Sequence, residues 1–133
     1  MIEQSAIKEM EEIMLSYLTK DMNPASVGFV HIEYEEDEEG IEEGTAYTKT
    51  LGQCALTQLK AFEISYDPQL KENPKLFITM LAHELIHVMQ VLRGDKFDYS
   101  KPYRKQPHEI EAYGREDEVA THYLNLIKER KTK

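Results

Sequence analysis

The chain has 133 residues, 41% of them hydrophobic, which supplies one core and one domain of ordinary size over 1–133. A formal net charge of −9 and a pI near 5.0 argue against nucleic acid or an anionic membrane surface as partner, because phosphate binding needs clustered Lys and Arg. Cys54 is the only cysteine, so no intrachain disulfide forms, and the acidic N-terminal stretch lacks the basic and apolar regions of a signal peptide; both point to a reducing, cytoplasmic setting.

The first element is a helix over 2–20, where Ile2, Ile7, Met10, Ile13, Met14, Tyr17 and Leu18 recur close to helical spacing. Asn23-Pro24 and Gly28 break it. Alternation then predicts a strand over 27–34, with Phe29, His31 and Glu33 opposing Val30, Ile32 and Tyr34. The segment 33–43 holds eight acidic residues in eleven positions and reads as a solvated hairpin loop leading to a second strand over 45–50. It lacks the Asp spacing of a calcium loop. A third strand is expected over 59–66, ended by Asp67-Pro68.

Asn73-Pro74 supplies an N-cap followed by proline at the first helical position, and Gly94 supplies the far cap of a helix over 75–93. That helix is apolar nearly all round and is therefore the buried, central one. No uninterrupted apolar run approaches the roughly 20 residues of a bilayer span. A polar, aromatic loop over 95–106 leads to a last helix over 107–130, opened by Pro107, whose basic end is a solvated terminus. The order is helix, three strands, helix, helix. It predicts an α+β domain with helices packed on a small antiparallel sheet.

Residues 83–87 read His-Glu-Leu-Ile-His. On a helix His83 and His87 project from one face on successive turns, so both can ligate one tetrahedral zinc. Glu84 is then placed to act as general base toward a water at that metal. Chance gives this pattern in a chain of this length on the order of a few times in a thousand, given how rare His is. Its position inside a buried helix adds to the signal, since unpartnered polar groups there would be destabilising. A third ligand is needed. Residues 107–120 offer His108, Glu109, Glu111, Glu116, Asp117 and Glu118, and spacing does not choose among the glutamates. Ile110, Tyr113 and Ala120 or Leu124 suggest the buried stripe of this helix.

His83-Glu84-Leu85-Ile86-His87 followed on a later helix by Glu109-Ile110-Glu111-Ala112 resembles the gluzincin metallopeptidases. The stretch 80–116 is also similar to small metallopeptidase-like proteins common in bacteriophages. The resemblance implies a zincin-like fold, one zinc per chain with Glu109 as third ligand, and hydrolysis of a peptide or protein substrate in a bacterial or phage-infected cytoplasm. It also implies that the strand before the active-site helix, here 61–66, offers its edge to extended peptide. Many gluzincins carry Asp four residues after the ligand Glu to orient a zinc-bound His. That position is Tyr113 here, leaving Glu116 or Asp117 as orienter. For the residue that stabilises the oxyanion, Tyr103 ranks first because the 95–106 loop can reach over the cleft; Tyr99, His108 and His122 are the others. A Cys54-His-His site of deformylase type is the weaker reading, with Cys54 better taken as a small buried hydrophobe. His31 is read as structural. The alternative function is a zinc-bearing, catalytically weak or inactive peptide-binding regulatory module. No residue pattern sets an oligomeric state.

Overall fold

The computed structural model describes residues 3–37, 45–54 and 58–131, and of Cys54 the backbone only. The far part of the acidic segment, the side chain of Cys54 and the position of Ile2 lie outside the described residues.

Helix α1 spans Gln4–Thr19 and turns Ile7, Met10, Met14 and Leu18 inward at helical spacing. Its one buried acid, Glu11, is partnered by the Tyr34 hydroxyl at 2.8 Å and by Lys8 Nζ at 3.2 Å. A single turn, α2 (Pro24–Val27), follows, capped by the Asn23 side chain on Ala25 N. Gly28 ends it at φ +61, and a Cβ there would lie 2.5 Å from the carbonyl oxygen of Gln58, so only glycine fits.

Strands β1 (Phe29–Glu36), β2 (Ala46–Cys54) and β3 (Leu59–Tyr66) form one sheet in the order β1-β3-β2. β3 runs parallel to β1, from Phe29 opposite Leu59 to Glu36 opposite Tyr66, and antiparallel to β2, from Ala46 opposite Tyr66 to Cys54 opposite Leu59. The sheet is mixed, and β1 and β2 are not a hairpin. The physical reason is apolar content. β3 carries Phe62, Ile64 and Tyr66, all at most 1% exposed, and takes the centre. β1, with Glu33, Glu35 and Glu36, and β2, with its Thr and Lys, suit the edges. The strand 61–66 is thus no edge: both its flanks are hydrogen-bonded, and the edge strands are β1 and β2.

A 3-10 turn (Pro68–Glu72) leads into α3, Pro74–Arg93. Asn73 Oδ1 accepts from Leu76 N at 3.3 Å, and Gly94 closes the helix in the left-handed region at φ +85. α3 is long and apolar enough to match a membrane span, with mean hydropathy 1.3, yet 67% of that stretch is buried inside this fold. Phe77, Leu81, Leu85 and Ile86 join Ile7, Met14, Ile32, Phe62 and Ile64 in the core between helices and sheet.

Helix α4 spans Pro107–Lys131. Its inward stripe runs through Glu109, Ala112, Val119, Ala120 and Tyr123, whereas Ile110 and Leu124 are 56% and 43% exposed. Of the stripe expected at Ile110, Tyr113 and Ala120 or Leu124, Ala120 is buried, while Ile110, Tyr113 and Leu124 are exposed and the inward face is displaced around the helix. Polar residues at the inward positions of the first turns mask the apolar period. Among the described residues the architecture is α+β: four helices, one of them a single turn, on a small mixed sheet.

Candidate metal centre

Three elements bring the polar groups together. α3 presents His83, Glu84 and His87; the first turn of α4 presents Glu109; β2 presents Thr48. His83 Nε2 and His87 Nε2 each lie 3.1 Å from the same oxygen, Glu109 Oε1. The three ligand atoms fall within 4.8 Å of one another, and His83 and Glu109 are buried. Tetrahedral zinc with bonds of about 2.0–2.2 Å sets ligand atoms roughly 3.3 Å apart; both His–Glu109 separations lie near that spacing, and the group as a whole, within 4.8 Å, is more open.

The hydrogen-bond network tests whether the group suits a cation. Gln90 Nε2 donates to the His108 carbonyl at 2.9 Å and to Glu111 Oε1 at 2.8 Å. Both are acceptors only, so the amide orientation is fixed and Gln90 Oε1 faces His87 Nδ1 at 2.9 Å. His87 therefore carries its proton on Nδ1 and, when neutral, turns the Nε2 lone pair toward a carboxylate oxygen. Two acceptors at that distance repel unless a proton or a metal ion lies between them. A buried His83-His87-Glu109 group of this kind could hold a metal ion.

The charges agree with this. Burial alone would raise the Glu109 carboxyl, but hydrogen bonds and charge from His83 and His87 hold it well below the usual carboxylate range. Burial alone would lower His87, but the Glu109 bond, the Glu84 charge and the Gln90 bond together raise it. Glu84 is pushed up by burial, against the pull of His87, His83 and the Thr48 hydroxyl. Thr48 Oγ1 donates to Glu84 Oε1 at 2.8 Å.

A cavity of about 500 Å³ opens over the group, lined by Glu84, His87 and Glu109 below and by β2 and the 95–106 loop at the sides. That volume is in the range of small-molecule and peptide sites. Tyr103 and Tyr99 both line it. Tyr103 is half-exposed, its hydroxyl 3.3 Å from that of Tyr113, and burial together with that bond keeps the phenol protonated. His108 also lines the cavity, stacked on Phe97 at 4.4 Å between ring centroids. Its Nδ1 is buried without a hydrogen-bond partner among the described residues, and burial lowers its pKa. His122 lies elsewhere, stacked on Tyr17 of α1.

The remaining glutamates separate. Glu111 turns away to Arg93, with Nη2–Oε1 at 2.6 Å. Glu116 lies behind His83, its Oε2 3.4 Å from Nδ1, in ion-pair reach but without hydrogen-bond geometry. Tyr113 packs its ring against His83 at 4.5 Å between centroids and does not orient it through a hydrogen bond. His31 is exposed beside Glu33. Sequence reading missed Thr48 and Gln90. Only Gln90 left a signal: a glutamine in an apolar helix, three residues after His87.

Comparisons of the chain with protein-family models, with curated proteins and with solved structures found no match.

Proposed function

We propose that the chain is a zinc-dependent peptide hydrolase of gluzincin type, with His83, His87 and Glu109 as metal ligands and Glu84 as general base. The observation that carries this reading is the convergence of both Nε2 atoms on one Glu109 oxygen beneath a cavity that Glu84 also lines. Zinc bound there would supply a Lewis acid that lowers the pKa of water and polarises a carbonyl. Glu84 takes the proton from the attacking water and delivers it to the leaving amine. Thr48 holds the Glu84 carboxylate in place between those two transfers. Tyr103 offers a protonated hydroxyl to the oxyanion of the tetrahedral intermediate. Among the described residues β2 pairs only with β3, and its Tyr47, Thr48 and Thr50 line the cavity, so an extended peptide can add along β2.

Hydrolysis of a peptide library by the wild type and by Glu84→Gln tests the proposal. The variant should keep its metal and lose about 10²–10⁴-fold in rate. Equal rates would sink the mechanism. Peptide binding by the zinc-loaded wild type with no cleavage would favour a regulatory binding module instead.

A further inference from the structure

Gln90 is completely buried, at 0% exposure, on an α3 whose neighbouring inward residues are mostly apolar. A buried amide needs partners for one oxygen and two N–H groups. Gln90 has all three: His87 Nδ1 at its oxygen, and the His108 carbonyl and Glu111 Oε1 at its nitrogen. Glu111 is clamped in turn by Arg93, through Nη1 to Oε2 at 3.1 Å and Nη2 to Oε1 at 2.6 Å. Arg93 is itself held by Asp95, with Nε to Oδ1 at 2.9 Å. Flipping the Gln90 amide would set its oxygen against two other acceptors, so the clamp fixes the amide and the amide fixes the imidazole. His83 has no such clamp: among the described residues its Nδ1 makes no hydrogen bond, with Glu116 Oε2 3.4 Å away in ion-pair reach, and its ring packs on Tyr113.

We infer that Gln90, locked by Glu111 and Arg93, is a positioning residue that sets the tautomer and ring orientation of His87 for metal binding. The inference rests on the metal-site reading above. The relay joins the two helices that carry ligands. Gln90 and Arg93 belong to α3 with His87, and Glu111 lies two residues from Glu109 on α4. One set of hydrogen bonds therefore fixes a ligand and the spacing between ligand helices together.

The test is zinc affinity, measured by competition with a chromophoric chelator, with the visible spectrum of the cobalt(II)-loaded chain as second readout. Gln90→Leu keeps the side-chain volume and removes the acceptor. It should weaken zinc by about 10–100-fold, as loss of a partner behind a metal-bound His does, and should shift the cobalt spectrum. Glu111→Ala, at a half-exposed position, removes one of the two acceptors that fix the amide, leaving the His108 carbonyl, and should weaken zinc in the same direction by a smaller factor without opening the core. It keeps the test decisive if the leucine variant fails to fold. A glutamine that merely fills space would lower the melting temperature of the metal-free chain and leave affinity and spectrum unmoved. Wild-type affinity in a folded Gln90→Leu chain, or in Glu111→Ala, would overturn the inference alone. A wild type that takes up neither zinc nor cobalt would overturn the metal-site reading and this inference with it.

Discussion

Among the described residues, the hydroxyl that hydrogen-bonds the Glu84 carboxylate is that of Thr48, and it comes from another element. The Thr48 bond lowers a carboxyl that burial raises. A general base works ionised, so turnover falls as pH drops through its pKa. Thr48→Val removes a bond that favours the ionised form, and the acid limb of the pH–rate profile should move to higher pH while the plateau stays within the same order. A limb that does not move would show that Thr48 does not tune the base. His83, Glu84 and His87 were legible in the sequence because one helix turn fixes their spacing. Glu109 needed the resemblance, since Glu111 and Glu116 were equally open by position. Thr48 was illegible because only the pairing of β2 with β3 brings it to α3.

Element boundaries followed local chemistry wherever a cap or a proline marks them. α3 is the clearest case: Asn73 and Gly94 bracket it as expected. Asn73→Ala should cost about 1 kcal/mol through its lost cap. Gly94→Ala meets no neighbour but forces a Cβ into φ +85, and should cost about 1–2 kcal/mol. Denaturant midpoints of the two variants check both values, and an unchanged midpoint for Gly94→Ala would show that the helix end relaxes. Sheet order was not legible, because adjacency in sequence suggested a β1–β2 hairpin while the apolar β3 takes the middle. The α4 stripe was misread for a related reason. Glu109 and Glu116 stand on the side of α4 that faces His83, where an apolar period would place hydrophobes.

For the whole molecule, the arrangement gathers Glu84, Glu109 and Glu116 around two histidines in a chain of net charge −9. A bound divalent cation offsets that charge and so contributes to folding. At free zinc 1,000-fold above its dissociation constant the contribution is about 4 kcal/mol. Chelation should therefore lower the melting temperature by roughly 10 °C. No change on chelation would mean that the fold stands without metal. The α+β class was legible from the order of the periodic segments, and the site's enclosure by β2 and the 95–106 loop was not, because long-range packing sets it. The central claim is the three-residue metal centre, and it is tested by elemental analysis of the purified chain and of Glu109→Ala, each dialysed after exposure to zinc. About one zinc per chain in the wild type, lost or much reduced in the variant, is the expected result. A wild-type chain that retains no zinc would contradict it.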